Sequence, residues 1–360
     1  MAQIDAFFKL MNEQGASDLH LVSGQQPILR IRGDMERVKY KVLDKDSLKA
    51  MLYEIVPEEK IKTFEESGDL DFGYEIPGLA RYRGNFFMQK YGIGAVFREI
   101  PSKILSCDQL GLPLVVKKLS MLPKGLVLVT GPTGSGKSTT LAAIIDECND
   151  KRKDHILTIE DPIEFVHQSK CCIINHREVG THTKSFSSAL RGALREDPDI
   201  ILVGEMRDLE TISLAMEAAM TGHLVFGTLH TLNASKTVDR VIEIFPAHQQ
   251  SQVRSTLADA LKAVVSQTLF KRMDIKGRCA ALEILICTPA ARNLIREGKT
   301  FQIPSVMQTG KKYGMQTLDE SIMEFLKKGW VSPDDAYINC IDKGKFMPYL
   351  KNPPIDFTDV

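Results

Sequence analysis

The chain has 360 residues, of which 43% are hydrophobic and 26% are charged, and its 46 basic residues balance 46 acidic ones. This length and composition can bury a large core, so two domains are expected and disorder is not indicated. The balanced charge gives no support for a protein whose main task is to coat nucleic acid. No apolar run approaches the roughly 18 residues of a membrane span. A secretory leader is not apparent, so we expect a soluble, cytosolic protein.

The cysteines argue against stabilisation by covalent or metal cross-links. There are seven, an odd number, and none forms a C-x-x-C pair. This pattern indicates neither a disulfide framework nor a zinc site. The adjacent Cys171 and Cys172 are predicted to be reduced thiols on opposite faces of a strand.

The first hundred residues predict an α+β domain. Strands are expected at Asp18–Val22, Ile28–Ile31, Ala80–Gln89 and Ile93–Phe97, and a helix at Leu48–Val56, ended by Pro57. Prolines and glycines over residues 101–113 indicate an interdomain hinge. The predicted organisation is therefore a domain at 1–100, a hinge at 101–113, a second domain at 114–345 and a tail at 346–360.

The second domain alternates predicted strands and helices. The strands are Leu126–Thr130, Ile156–Glu160, Ile200–Val203, Leu224–Thr228 and Ala281–Ile286, and the helices are Ser138–Asn149, Ser185–Arg195 and Leu209–Met220. Continuous apolar strands separated by helices predict an α/β fold with a mainly parallel sheet, whose ligands lie at the carboxyl ends of the strands. Helical spacing from Val253 to Leu269 predicts a long amphipathic helix after the sheet.

A glycine-rich turn between the first of these strands and its helix matches the phosphate-loop pattern G-x-x-x-x-G-K-[ST]. Glycines let the backbone point several N–H groups at phosphate oxygens, and the helix adds its positive end. Lys137 is expected to reach the β- and γ-phosphates and Ser138 to hold Mg²⁺. The loop does not distinguish ATP from GTP. The predicted nucleotide-binding residues are Gly131, Pro132, Thr133, Gly134, Ser135, Gly136, Lys137, Ser138 and Thr139.

Carboxylates follow two of the predicted strands. Glu160, Asp161 and Glu164 come after the first, where they fit either a metal and water site or a capping box with Asp161 as N-cap. Glu205 ends the second and is predicted to be the general base or to position the attacking water. Gly204 occupies the slot before it, where many nucleotide hydrolases have a magnesium-binding aspartate. Magnesium is therefore expected to depend on Ser138, phosphate oxygens, waters or the carboxylates at 160, 161 and 164.

Two histidines flank the predicted strand Leu224–Thr228. His223 and His230 both suit the sensing of a γ-phosphate, although a structural role remains open for each. Seven residues of extended strand span about 23 Å, so the two imidazoles cannot share one place unless the chain bends after Gly227.

Four motifs in this order resemble the type II/IV secretion ATPase family. They are the Walker A motif at 131–139, the acidic box at 160–164, an atypical Walker B motif at 200–205 and a His box at 221–231. The segment Ala290–Glu297 resembles the signature helix of the pilus-retraction members. The absence of C-x-x-C pairs fits retraction better than extension.

The resemblance implies a homohexameric ring, each subunit having a PAS-like N-terminal domain and a RecA-like P-loop ATPase domain. It implies that Arg81, Arg83 and Arg98 approach a nucleotide bound between domains, and leaves open which of them acts in cis or in trans. The implied activity is Mg²⁺-dependent ATP hydrolysis that powers type IV pilus retraction and twitching motility. The implied place is the cytoplasm, where a pilus platform protein holds the motor at the inner membrane without a membrane span or stable nucleic acid.

Other functions remain open from the sequence. These are a pilus-extension or type II secretion ATPase, a nucleic-acid-translocating ring, and a scaffold that binds nucleotide without useful turnover.

Overall fold

The computed structural model describes residues 2–31, 33–100 and 103–351. The chain divides into two compact units, Met1–Lys103 with Pro162–Val166, and Ile104–Asp161 with His167–Val360. Pro101 and Ser102 of the predicted hinge and residues 352–360 of the predicted tail lie outside the described residues. The hinge and the exact domain bounds stay predictions.

The first unit is an antiparallel sheet with three helices in its described part. Its elements are α1 (Asp5–Glu13), β1 (Asp18–Val22), β2 (Ile28–Ile31), β3 (Asp34–Arg37), α2 (Lys45–Tyr53), α3 (Glu58–Ser67), β4 (Asp69–Ile76), β5 (Ala80–Gln89) and β6 (Gly92–Ile100). Within the described residues the strand order is β3-β2-β1-β6-β5-β4. Aromatic side chains form much of its core: the rings of Phe8 and Tyr82 stack with centroids 4.2 Å apart, and Phe97 meets Phe8 edge-on.

The predicted helix at Leu48–Val56 is present as α2 but lies three residues earlier in the chain. Asp44 is its N-cap and accepts a hydrogen bond from the backbone N–H of Ser47 at 2.9 Å. This capping contact fixes the start of the helix. The sequence contains the corresponding signal, because Asp44 stands immediately before the residues with helical apolar spacing.

The second unit is an α/β layer structure. Its elements are α4 (Leu114–Leu119), β7 (Gly125–Thr130), α5 (Lys137–Lys151), β8 (His155–Glu160), β9 (Ile173–Glu178), α6 (Phe186–Ala193), β10 (Ile200–Val203), α7 (Leu209–Thr221), β11 (Leu224–Leu229), α8 (Ala234–Glu243), α9 (Gln250–Ala260), β12 (Leu261–Lys271), β13 (Arg278–Ile286), α10 (Pro289–Arg296), α11 (Ile303–Thr309), α12 (Leu318–Lys327), α13 (Pro333–Asn339) and α14 (Lys343–Phe346), with 3-10 turns at Thr300–Gln302, Lys311–Tyr313 and Met347–Tyr349.

Among the described residues the sheet of this unit has the order β13-β12-β7-β11-β10-β8-β9. All neighbouring strands are parallel except β12 and β13. Side chains of β7 alternate between two cores: Leu126 and Leu128 contact the core that includes α7 and α9, whereas Val127 and Val129 contact the core that includes α5. Helices therefore cover both faces, which explains the continuous apolar strands.

The long helix predicted from Val253 to Leu269 is wrong in its second half. Helix α9 ends at Ala260, and Leu261–Lys271 is strand β12, paired with β7 on one side and β13 on the other. Because β12 is buried on both faces, its apolar positions satisfy the helical spacing and the strand spacing equally.

Two smaller expectations are also wrong. Cys171 and Cys172 precede β9 instead of lying within a strand, the first exposed and the second buried. Residues 163–169 have no regular secondary structure, so the capping-box interpretation of Asp161 and Glu164 fails. No helix follows Asp161 in this described segment for it to cap.

Candidate functional site

The phosphate loop lies at the edge of the sheet where the parallel strands end. The last residues of β7 and β11, Thr130 and Leu229, are paired neighbours, and Val203 at the end of β10 pairs with Gly227 and with Ile159. The residues that follow these strands, or end them, are therefore delivered to one edge. This edge holds the loop, Glu205, Glu160 and His230.

The loop has the backbone conformation that its glycines permit. Gly134 and Gly136 have φ values of 79° and 87°, in the left-handed region that favours glycine. Gly136 is also the N-cap of α5, and it has no side chain to occupy the N–H groups of the first helical turn. These amides and the positive end of α5 form a site suited to an anion.

Lys137 is buried within the loop that it follows. Its Nζ donates hydrogen bonds to the carbonyl oxygens of Gly131 at 2.9 Å and Pro132 at 3.1 Å. The amide of Gln267 on β12 donates to the carbonyl oxygen of Ser135 at 2.5 Å, which fixes the middle of the loop from a neighbouring strand. Pro132, Thr133 and Gly134 are exposed, while Ser138 and Thr139 are half-buried.

Glu205 follows β10 and is held by two basic side chains. Its Oε1 lies 2.9 Å from Nε2 of His230, which follows β11. The guanidinium of Arg207 contacts both carboxylate oxygens, with Nη2 donating to Oε2 at 2.5 Å and Nε beside Oε1. Burial alone raises the pKa of Glu205, but the hydrogen bond and charge of Arg207, together with His230, bring that pKa below its ordinary value. Glu205 is therefore ionised at neutral pH and can accept a proton.

Glu160 ends β8, and Gly204, the residue before Glu205, packs against its backbone. The N–H of Gly204 donates to the carbonyl of Ile159 at 2.7 Å. A Cβ atom on Gly204 would lie 3.1 Å from that oxygen and 3.2 Å from Cα of Glu160. Close approach of β8 and β10 thus explains why glycine stands in the slot where many nucleotide hydrolases have aspartate. The buried Glu160 carboxylate lies next to this slot and 4.0 Å from Nδ1 of His176.

The oxygen donors at this edge fit magnesium better than a metal that prefers a full protein cage. In the described part of the chain, no group of three His, Cys, Asp or Glu residues could hold a metal ion by itself. Mg²⁺ commonly keeps several waters and takes only one or two protein ligands beside substrate phosphates. The hydroxyl of Ser138 and the carboxylate of Glu160 are ligands of that kind. Asp161 is exposed at the same edge and interacts electrostatically with Arg207.

His223 lies away from the phosphate loop and Glu205 of its own chain. It precedes β11, where its carbonyl accepts a hydrogen bond from Gly125 at the start of β7. Its Nδ1 lies 2.9 Å from the carbonyl oxygen of Ala218 on α7. Strand β11 continues without a bend to Leu229, so His223 and His230 are about 23 Å apart along it.

The three predicted arginines lie in the first unit, each with an acidic partner there. Arg81 is 3.6 Å from Glu75, Arg83 is 3.9 Å from Asp71, and Arg98 donates to Asp18 at 2.8 Å. Glu164 also belongs to this unit. The contacts of these residues with a nucleotide stay predictions.

Sequence reasoning missed Arg207 and His176. Arg207 stands two residues after Glu205, and a basic side chain so close to a predicted base was a signal that could have been used. His176 on β9 was not detectable, because only the sheet order places it beside Thr158, whose hydroxyl lies 2.8 Å from its Nδ1.

Similarity to known proteins identifies the class of this chain. The family model for type II/IV secretion system proteins matches residues 102–338, and the chain belongs to that family. It is 57% identical over 324 residues to the type IV pilus retraction ATPase PilT of Pseudomonas aeruginosa, covering 90% of this chain and 94% of that protein. It is 53% identical over 310 residues to a twitching motility protein of Neisseria gonorrhoeae, covering 86% and 83%.

A solved structure of the pilus retraction motor PilT with bound ADP has a TM-score of 0.88 and 44% identity, and the match covers 96% of this chain and 98% of that one. These similarities confirm the predicted family and the predicted fold class, a RecA-like core with a mainly parallel sheet preceded by a smaller α+β domain. Among the described residues, no helix combines the length and apolar character that crossing a membrane requires.

Proposed function

We propose that this protein is an ATP-hydrolysing motor, assembled as a homohexamer, that powers type IV pilus retraction and twitching motility. The observation that carries the proposal is the meeting of the phosphate loop and the Glu205–His230 pair at one edge of the sheet. The 57% identity to a pilus retraction ATPase over most of both chains supports retraction of the pilus instead of extension.

In the proposed mechanism the chain positions the phosphates and removes a proton. Loop amides and the start of α5 bind the phosphate oxygens, and Lys137 leaves its carbonyl partners for the β- and γ-phosphates. Ser138 and Glu160 are the proposed protein ligands of Mg²⁺, with Asp161 and Glu164 as further candidates. Bound Mg²⁺ supplies charge neutralisation. Glu205 accepts the proton of the attacking water, and His230 orients the Glu205 carboxylate.

The finer parts of the proposal concern neighbouring subunits and partners. Arg81, Arg83 and Arg98 are proposed to neutralise transition-state charge in cis or in trans. For His223, we propose a role toward a neighbouring subunit, since it lies far from the loop of its own chain. The motor is proposed to work in the cytoplasm, held at the inner membrane by a pilus platform protein, without stable nucleic acid.

The biochemical test is steady-state phosphate release by the purified protein with Mg-ATP, with and without DNA. We expect turnover that DNA does not stimulate. Strong stimulation by DNA would indicate a nucleic-acid-translocating ring instead. Nucleotide binding without turnover would indicate a scaffold.

The cellular test is deletion of the gene. We expect pili that extend but do not shorten, and loss of twitching. Loss of all pili would assign the chain to extension and contradict retraction. Complementation with the Glu205→Gln variant should not restore shortening.

A further inference from the structure

Arg207 engages the carboxylate that the proposed mechanism needs as a base. Two nitrogens of its guanidinium meet two oxygens of Glu205, which is the fork geometry of a bidentate ion pair. His230 approaches Oε1 as well. A carboxylate has about four lone-pair sites, and three donor nitrogens, two from Arg207 and one from His230, occupy three of them here. The pair therefore limits the access of a water proton to Glu205.

The side chain of Arg207 is free to move while its backbone is anchored. On one side, Met206 donates its N–H to the carbonyl of Thr228 at 3.0 Å. On the other, Asp208 caps α7 by accepting from the N–H of Thr211 at 2.8 Å. The Arg207 side chain is 75% exposed, compared with 19% for Glu205. Because the guanidinium end of the pair faces solvent, a competing anion of higher charge can reach Arg207 and displace the carboxylate.

We propose that Arg207 is a nucleotide-responsive latch, which holds Glu205 in the empty subunit and moves to the terminal phosphate when Mg-ATP binds. This inference rests on the proposed ATPase function. It makes Arg207 a positioning residue for Glu205 and a specificity element that distinguishes a triphosphate from a diphosphate.

Charge and geometry both favour the transfer. A phosphate presents the same paired oxygens to a guanidinium fork as a carboxylate does, with more negative charge. Glu205 and the loop lie at one edge of the sheet, so the competing acceptor arrives near the pair. Among the other charged groups at this edge, His230 stays in contact with Glu205. The charge of Asp161 attracts Arg207. Glu160 packs against Gly204 and lies 4.0 Å from His176.

If Arg207 moves from Glu205 to the phosphate, its effect on the pH dependence of kcat/KM differs from its effect on that of kcat. A permanent Arg207–Glu205 ion pair would affect both profiles alike. Burial raises the pKa of the Glu205 carboxyl, but Arg207 and His230 together bring it below its ordinary value. Loss of Arg207 removes its hydrogen bond and its charge, so the pKa of Glu205 rises relative to the intact pair. The acidic limb of the kcat/KM profile reports the free enzyme, and that of kcat reports the nucleotide complex. If Arg207 leaves Glu205 when nucleotide binds, replacing Arg207 changes the acidic limb of kcat/KM and leaves that of kcat unchanged.

The test compares the full-length wild-type protein with Arg207→Gln and Arg207→Lys across pH. We expect Arg207→Gln to move the acidic limb of kcat/KM upward by about one pH unit and to leave the acidic limb of kcat in place. Arg207→Lys, which keeps the charge and loses the fork, should give a smaller shift. Binding of a non-hydrolysable Mg-ATP analogue to Arg207→Gln should weaken by about tenfold, while Mg-ADP binding changes less than about twofold.

Arg191→Gln is the matched control, because Arg191 also pairs with an exposed glutamate, Glu210, on the same unit. It should leave both limbs and both affinities unchanged. Equal shifts of both limbs would show that Arg207 stays on Glu205 throughout, and no shift would show that it does not act on the base. Either result would overturn the proposed latch. It would leave the proposed ATPase function standing, because the wild-type protein would still hydrolyse ATP. A wild-type protein without ATP turnover overturns the proposed function itself.

Discussion

Nε2 of His230 lies 2.9 Å from Oε1 of Glu205, although 25 residues separate them in the chain. Strands β10 and β11 are parallel neighbours in register, so the residues that follow them meet. The contact joins the Walker B and His motifs into one unit. A histidine in this position can orient the carboxylate and respond to a phosphate beside it.

The two histidines should therefore differ in their effect on turnover. His230→Ala is expected to lower kcat of ATP hydrolysis by about tenfold to a hundredfold, because Glu205 loses an orienting partner. His223→Ala should reduce turnover less when both variants are compared under conditions that keep the assembly state equal. Equal losses in the two variants would contradict a direct role for His230.

Removal of the base should separate binding from chemistry. Glu205→Gln keeps the size of the side chain and loses its ability to accept a proton. Turnover should fall by about a hundredfold or more, while the affinity for Mg-ATP measured by calorimetry stays at least as high as in the wild type. Glu210→Gln, which alters an exposed glutamate on the following helix, is the control and should keep normal turnover. Near-normal turnover in Glu205→Gln would remove this residue from the proposed role.

Gly204 should not tolerate the aspartate found at this slot in other nucleotide hydrolases. Because Gly204 has no Cβ, the backbone of Ile159 and Glu160 lies close to it, and an added Cβ would crowd these atoms. Gly204→Ala should therefore lower the free energy of unfolding by about 1–3 kcal/mol. Gly204→Asp should lower it at least as much. Denaturant titration measures both. Gly277→Ala is the control, because a Cβ there meets nothing within 4 Å, and its effect should stay within about 0.5 kcal/mol. An unchanged stability of Gly204→Ala would show that the strands separate easily.

Stability should fall in acid through His167. Burial, followed by His176 and Lys170, lowers the pKa of His167 to about 3. The unfolded chain takes up this proton near pH 6.5, its ordinary value, and the folded chain does not. The stability contributed by neutral His167 is therefore complete above about pH 6.5 and decreases toward pH 3.

His167→Asn should show a smaller loss of unfolding free energy between pH 7.5 and pH 4.5 than the wild type, by about 1 kcal/mol or more. Denaturant titrations at several pH values provide the measurement. The exposed His248 offers the control variant His248→Asn, which should follow the wild-type pH dependence. The hypothesis fails if His167→Asn and the wild type lose stability in parallel.

Local sequence was enough to predict the parts whose structure depends on neighbouring residues. Glycines 134 and 136 indicate the turn because few other residues adopt its backbone angles, and Lys137 and Ser138 follow from the same motif. The buried strands before Glu160 and Glu205 were visible as apolar runs. The segment Leu261–Lys271 was not, because an apolar run buried on both faces satisfies both periodicities and only its pairing with β7 and β13 decides between them.

The sequence by itself determined that this chain has a phosphate loop, candidate carboxylates after strands and an α/β order. Only the tertiary structure decided which of these groups meet. It placed His230 with Glu205 and left His223 at the opposite end of the same strand, brought Arg207 onto the proposed base, and pressed Gly204 against Glu160. The physical reason is that sheet order and register are set by packing between residues far apart in the chain, which no local pattern encodes.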